Sequence, residues 1–286
     1  MPKERGDSHL KDVGTSGIME IIDGGRRTRQ HSLMKVTLVS LAVWIGIACL
    51  MVLVWVASVV CVLLFGFWDQ DRRLVHACVK GWARAVIALN PYWELTIDDR
   101  ARLDPRRAYV FVANHQSLAD VVVLPHVGLS YKCLSKASLF RLPFLGWTLS
   151  LSRHIPLERG VVGSTRRAMA QARRWLHRGM PVAFFAEGTR SRTGELQAFK
   201  PGAFQLAIET GTAVVPLAIS GTREALMRGS WRFRSQVRGT LTILSPIETH
   251  GLSRADVARV TQQAFDAISA VVQPRRSAPQ GAMPRG

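Results

Sequence analysis

From Val36 to Trp68 the chain reads VTLVSLAVWIGIACLMVLVWVASVVCVLLFGFW, without a single charged residue. A helix in a soluble domain keeps a polar face, so this run belongs in lipid. Its length narrows the options. About 33 residues make a helix of roughly 50 Å at 1.5 Å per residue, longer than a hydrocarbon core of about 30 Å. Two complete spans would need about 40 residues and a turn. One long tilted helix or a shallow hairpin dipping into one leaflet remains, with Gly46 and Ala57-Ser58 as the candidate bends. Arg26, Arg27, Arg29 and Lys35 precede the run, and Arg72 and Arg73 follow it. Positive charge on both flanks favours two cytoplasmic ends and hence the hairpin. The run lies too deep and is too long for a cleaved signal peptide.

The formal charge of +18 calls for a polyanionic partner or surface. An anionic membrane surface accounts for it with fewer assumptions than nucleic acid, because the chain already carries a lipid segment. No nucleic acid is expected. Cys49, Cys61, Cys78 and Cys133 show no paired spacing, which supports neither a disulfide framework nor a zinc site.

Residues 1–30 read as a mobile polar N-terminus and 31–72 as the membrane-embedded segment. Residues 73–272 read as one folded domain, and 273–286, rich in Pro, Arg and Gly, as a disordered tail. Within the domain a helix is expected from Arg73 to Leu89. Beyond "WELTI", strand-like runs at 108–113, 131–134, 154–157, 181–186 and 213–219 alternate with helical patterns at 118–125, 143–151, 164–178 and 202–209. "RGTLTILSPI" adds a strand, and an amphipathic helix capped by Ser253 closes the domain. The alternation predicts an α/β fold with a mixed, largely parallel sheet flanked by helices, preceded by the membrane helix or hairpin.

"FVANHQSLAD" breaks from an apolar strand into a polar turn. Ser117 and Asp120 match a helix capping box, which is sufficient reason for both. It gives no reason for His115, which stands where open α/β sheets bind ligands, at the carboxyl end of a strand. Five helical residues turn about 500°, so His115 and Asp120 meet only if His115 precedes the helix and folds back over its first turn. Asp120 would then hold one imidazole nitrogen protonated and leave the other free to accept a proton. One histidine without a second ligand cluster is a poor metal site, and none is expected.

A second block, "FFAEGTRSRTG", follows another strand. Gly188 permits close backbone approach, Thr189 offers a hydroxyl, and Arg190 offers a planar fork suited to phosphate. A polar surface turn accounts for the composition equally well. Arg159 in "RHIPLERG" either meets a phosphate or forms a surface ion pair, and the arginines of "STRRAMAQARRWLHRG" read as a solvated or membrane-facing side. Pro216 inside a strand marks a bulge or an edge. No nucleotide-binding loop of the standard kinds occurs, nor a Gly-x-Ser-x-Gly elbow, so Ser117 is read as a cap and not as a nucleophile.

Taken together, roughly from Ala108 to Thr222, these blocks resemble the 1-acyl-sn-glycerol-3-phosphate acyltransferase family. The resemblance rests on His115 and Asp120 at their spacing, on Glu187-Gly188-Thr189-Arg190, and on "FKPGAFQLAIETG" and "VVPLAISGT". Arg153 stands where the family often has glycine, Glu158 where it often has aspartate, and Ala186 where proline is common. The resemblance implies that His115 is the general base and Asp120 its orienting carboxylate. The acceptor is lysophosphatidic acid, acylated at its sn-2 hydroxyl. The donor is acyl-CoA or acyl-carrier protein, with no cofactor. The tetrahedral oxyanion would form beside a helix N-terminus. Arg159, Glu187, Gly188, Thr189 and Arg190, with Lys136, would bind the acceptor's glycerol phosphate. A bacterial inner membrane, with the catalytic domain on the cytoplasmic face, is the implied location. The same chemistry on a lyso-ornithine lipid or glycerol-3-phosphate is the alternative, ahead of a non-catalytic membrane or nucleic-acid-binding protein.

Overall fold

The computed structural model describes residues 12–273 apart from 91, 192, 227–229 and 235, with side chains from Met34 onward. The expected tail falls on residues outside this range except for Gln273, as do residues 1–11 of the expected mobile N-terminus. Residues 12–30 carry helical backbone.

A single helix, α1 (Asp12–Phe65), contains the apolar run. The backbone stays helical through Gly46 and Ala57-Ser58, so the chain does not reverse at either. Ser58 returns its hydroxyl to the Val54 carbonyl within the helix. Gly46 serves instead as a contact point, where an added Cβ would lie 2.9 Å from the Leu89 side chain. The turn comes only at residues 66–72. There the Asp69 carboxylate receives the N–H groups of Arg73 and Leu74 at 2.8 and 2.9 Å and starts α2 (Arg73–Ala88). Cys61 meets Cys78 near this turn and Gly46 meets Leu89 far from it, so α1 and α2 are antiparallel. A hairpin does form, but it lies outside the apolar run and uses α2 as its second arm.

The sheet contains β1 (Trp93–Asp99), β2 (Val110–Ala113), β3 (Lys132–Lys136), β4 (Ile155–Leu157), β5 (Val182–Phe185), β6 (Val214–Ser220) and β7 (Val237–Ile243). Their spatial order is β1-β7-β6-β2-β5-β3-β4, and only the β6–β7 pairing is antiparallel. The helices α3 (Asp120–Val123), α4 (Leu145–Leu151), α5 (Val162–His177), α6 (Gly202–Thr210) and α7 (Val257–Val272) complete the domain. β2 is buried throughout, as a central strand covered on both faces must be. Val110 and Val112 pack with Trp175, Phe204 and Ile268 from α5, α6 and α7. Phe111 and Ala113 pack with Val123, Leu124 and Tyr131 on the other face. Opposite Pro216 the neighbouring strand carries an extra residue: the Leu244 N–H still donates to the Pro216 carbonyl at 3.0 Å, but residues 244–246 stand between Ile243 and Ile247 against only 215–216 between Val214 and Leu217, so the expected bulge is on β7's side. Ser253 and Asp256 form the expected reciprocal cap before α7.

Contacts between the hairpin and the domain run the whole length of α1's apolar part. The Phe233 N–H donates to Ser40 Oγ at 2.9 Å, and Trp44 Nε1 donates to the Trp231 carbonyl at 2.7 Å. The Trp55 ring lies 5.4 Å from Phe144 and 5.3 Å from Trp147. At the turn, Lys132 Nζ donates to the Asp71 carbonyl, Arg153 to the Gln70 carbonyl, and Arg178 to the Asp71 carboxylate, at 2.6, 2.8 and 2.9 Å. The domain therefore lies beside the apolar helix. Arg153 adopts a left-handed φ of 55°, a conformation that favours glycine, and its guanidinium reaches this turn. That geometry accounts for an arginine where the family often has glycine.

Candidate active site

The carboxyl ends of β2, β3, β4, β5 and β6 share one edge of the sheet, and the sequence blocks converge there. At the end of β2, Asn114 is fully buried. Its side chain exchanges two hydrogen bonds of 2.8 Å with the Ile219 backbone on β6. The next residue, His115, is held by both its backbone groups. Its N–H donates to Glu187 Oε1 at 2.7 Å, and its carbonyl accepts the Ser191 N–H at 2.9 Å. The Phe185 ring stacks on the imidazole with centroids 4.0 Å apart.

His115 Nδ1 lies 2.8 Å from Asp120 Oδ2. A carboxylate accepts, so Nδ1 carries the proton and Nε2 presents a lone pair. Asp120 has no solvent exposure. Its Oδ2 also accepts the N–H groups of Gln116 and Ser117, at 2.7 and 2.9 Å, and its Oδ1 accepts the Thr222 hydroxyl. Four donors stabilise the charged carboxylate. The chain does fold back as the spacing requires, with His115 ahead of the helix turn. The capping box is only half formed, because Ser117 Oγ accepts from Ala119 and not from Asp120. With the amides of Gln116, Ser117 and Ala119 engaged inside this turn, and α3 only four residues long, the expected anion site at a helix N-terminus is not available there.

Glu187 is buried beneath His115, its second oxygen accepting the Gln197 N–H at 3.2 Å. Burial raises its pKa above the ordinary carboxylate value. Both oxygens thus point at backbone amides, which makes Glu187 a brace for His115. Gly188 has a φ of +72°, and an added Cβ would lie 2.7 Å from the Lys200 side chain. Thr189 and Arg190 are exposed on the following loop, and Arg192 lies outside the described residues. Lys136 is exposed at the end of β3, in register with Leu157 on β4, and Arg159 is exposed two residues beyond Leu157. Among the described residues no three His, Cys, Asp or Glu side chains converge as metal ligands.

Thr222 is the functional residue that sequence reasoning missed. Its signal was the Gly-Thr pair directly after β6. Gly221 has a φ of +75°, and a Cβ there would meet the Arg238 carbonyl at 1.8 Å, so only glycine makes the turn that brings Thr222 to Asp120. Thr222 also lines an apolar cavity of about 240 Å³, together with Trp44, Met51, Trp82, Leu118 and Phe233. The cavity lies between the helical hairpin and the sheet and begins at the turn that carries His115 and Asp120.

Comparison with known proteins gives a consistent picture. The family model described as Acyltransferase matches residues 94–220. A lyso-ornithine lipid O-acyltransferase of Pseudomonas aeruginosa is 31% identical over 218 residues, covering 70% of this chain and 82% of that protein. The human 1-acyl-sn-glycerol-3-phosphate acyltransferase beta is 30% identical over 207 residues, covering 71% and 72%. A chloroplastic 1-acyl-sn-glycerol-3-phosphate acyltransferase of Arabidopsis thaliana is 36% identical over 197 residues, covering 68% of this chain and 53% of that protein. The chain spans about half the length of such plant and algal relatives. The crystal structure of a 1-acyl-sn-glycerophosphate (LPA) acyltransferase from Thermotoga maritima shares the fold. Its TM-score is 0.64 at 23% identity, over 83% of this chain and 97% of that one.

Proposed function

This chain belongs to the acyltransferase family that includes the 1-acyl-sn-glycerol-3-phosphate acyltransferases, and on that premise we propose that it is an O-acyltransferase of lysolipids. The observation that carries the proposal is the His115–Asp120 pair, with Nδ1 fixed by a buried carboxylate, at the head of an apolar cavity. His115 Nε2 takes the proton of the acceptor hydroxyl as its oxygen attacks the thioester carbon. The tetrahedral adduct collapses, the carbon–sulfur bond breaks, and the imidazolium returns the proton to the departing thiolate. Asp120 stabilises that imidazolium. The acyl chain occupies the apolar cavity, and the donor is acyl-CoA or acyl-carrier protein.

The acceptor is lysophosphatidic acid, acylated at its sn-2 hydroxyl to give phosphatidic acid. Support comes from three exposed cations, Lys136, Arg159 and Arg190, on the loops at the same sheet edge as His115. They suit a phosphate monoester, with Gly188 and Thr189 providing the close backbone approach and a hydroxyl. A lyso-ornithine acceptor is the second reading, favoured by the likeness to the Pseudomonas enzyme over 82% of its length.

The enzyme works at a membrane surface. The segment Met34–Phe65 is long and apolar enough to cross a bilayer. Its contacts with the domain from Ser40 to Asp71 favour a different arrangement, a helix lying along one leaflet. An upright crossing would draw the domain's flank into hydrocarbon. Exposed Leu53, Leu63, Phe67 and Trp68 supply the lipid-facing surface, and Arg72 and Arg73 beside them suit the anionic cytoplasmic face.

The test is acyl transfer by purified protein from a thioester to lysophosphatidic acid, lyso-ornithine lipid and glycerol-3-phosphate, with His115→Ala as control. Phosphatidic acid formed only by the unsubstituted protein supports the reading. Preference for another acceptor reassigns the cationic loops, and no transfer to any acceptor refutes the enzyme.

A further inference from the structure

A groove of about 560 Å³ runs along the line where α1 meets α4. Trp55 and Val59 of α1 line one side, and Trp147, Ser150 and Leu151 of α4 line the other. It shares no lining residue with the cavity that begins at the His115 turn, whose α1 wall is Trp44, Ile47 and Met51. The groove is open to a ligand, since Trp147 is 44% exposed and Ser150 is exposed beside it. The rings of Trp55, Phe144 and Trp147 pack against one another there, with centroids 5.4, 5.3 and 5.1 Å apart. Phe144 takes a left-handed φ of 58° to join them. A bulky residue holds that conformation only where its surroundings impose it, so the aromatic wall is fixed in place.

What leads into the groove restricts its occupant. Strand β3 ends at Lys136, exposed on the sheet edge that carries His115, and exposed Arg141 follows in the next turn. Neither cation has a carboxylate partner among the described residues. Leu142 comes next, 45% exposed, and then the groove itself, whose lining carries no charge. Along residues 136–151 the surface thus passes from cationic to apolar. An amphiphile with an anionic head and a single chain presents the same order. Strand β3 lies two strands from β2, about 10 Å at the usual spacing, which a glycerol phosphate and the Lys136 side chain cover together. Lipid tails are as apolar as leucine, so a chain gains little by mere transfer from a bilayer. The groove contributes position, because a chain held along rigid rings brings its head to one place on the edge.

We propose that the groove between α1 and α4 holds the acyl chain that the lysolipid acceptor already carries, while the donor's chain takes the cavity at the His115 turn. The inference rests on the lysolipid-acceptor reading. It adds a separate seat for the second chain, with Trp55 and Trp147 as its wall and Lys136 and Arg141 above it.

Binding is followed by tryptophan emission in phosphatidylcholine bicelles, using lysophosphatidic acid brominated midway along its chain and, for comparison, brominated lysophosphatidylcholine. Bromine quenches at short range, and the readout needs no turnover, so failure of the proposed reaction and failure of this inference are separable. Lysophosphatidic acid is expected to quench at about tenfold lower concentration than the comparison lipid. Trp55→Phe combined with Trp147→Phe should remove most of that quenching. Trp44 and Trp82 of the other cavity remain in this variant and report a chain that goes there instead. In turnover, Val59→Trp fills the groove and should lower kcat/KM for octadecanoyl lysophosphatidic acid about tenfold, with the hexanoyl homologue kept within about twofold. Thermal unfolding of each variant checks that it folds. The proposal is overturned if both brominated lipids quench alike, as expected of ordinary bilayer lipid in the groove. It is overturned equally if the double variant is quenched as strongly as the unsubstituted protein, if neither lipid quenches, or if Val59→Trp affects both chain lengths alike.

Discussion

The His115 backbone N–H donates to Glu187 Oε1 at 2.7 Å, joining two sequence blocks 72 residues apart. The carboxylate that closes the strand β5 thereby sets the backbone from which the proposed base projects. Glu187→Gln should leave one backbone N–H facing an amide N–H. We expect kcat to fall about 10- to 100-fold, in line with a mispaired buried donor costing roughly 1–3 kcal/mol, with KM for the acceptor nearly constant. A raised KM at unchanged kcat would place Glu187 on the acceptor instead. Because burial raises this carboxyl's pKa, its protonation on acidification comes at a higher pH than for an ordinary glutamate, and activity should decline with it.

On the proposed mechanism, loss of His115 removes the chemistry and leaves binding. His115→Ala and Asp120→Asn should each lower turnover by about 10²- to 10⁴-fold, the usual range for general acid–base groups. Binding of the acyl chain, measured by calorimetry, should stay within about twofold, since neither side chain lines the cavity. Turnover retained in His115→Ala would refute the mechanism.

Thr222 orients Asp120 through its hydroxyl. Thr222→Val keeps the shape and removes the donor, and should reduce kcat about tenfold, whereas Thr222→Ser should restore most of it. Equal activity of the valine and serine variants would show that only packing matters there.

In the proposed acceptor site the exposed Arg159 and Arg190 act through charge. Arg159→Ala and Arg190→Ala should each raise KM for lysophosphatidic acid about tenfold, and lysine at either position should recover only part of this. If lyso-ornithine lipid is used as well as before, the loss belongs to phosphate recognition. An unchanged KM in both variants would move the headgroup elsewhere on the edge.

Lys132 is buried under the hairpin turn, and burial lowers its pKa from 10.5 to about 8. Between these values the unfolded chain holds the proton and the folded chain does not, so stability rises with pH across that window. Lys132→Met should flatten that rise, by at most roughly 3 kcal/mol, in denaturant unfolding followed from pH 7 to pH 11. An identical slope in the variant would mean that the lysine titrates normally.

Much of this architecture is legible in the residues themselves. Strand and helix alternate because β-branched runs such as VFVA and VVPLAIS are punctuated by glycine and by polar turns, and those signals are local. The same holds for the Ser253–Asp256 cap and for the apolar run of α1. His115 and Asp120 are close in sequence and needed only the direction of one turn to meet.

The remaining features depend on long-range contacts. The apolar run offers no local signal for where its hairpin turns. The turn falls at Asp69 because Lys132, Arg153 and Arg178, far along the chain, hold it, and because Leu89 packs on Gly46. The family resemblance implied that Glu187 meets a substrate, whereas burial turns it to the His115 amide. Thr222 became legible only when β6 lay beside β2, since a hydroxyl and a carboxylate 102 residues apart have no periodicity to reveal them. The amino-acid sequence by itself determined the elements, the long apolar helix and the pairing of His115 with Asp120, because each is encoded in neighbouring residues. Only the tertiary structure decided what braces that pair and where the cavities lie, because burial and hydrogen-bond satisfaction are properties of the packed chain.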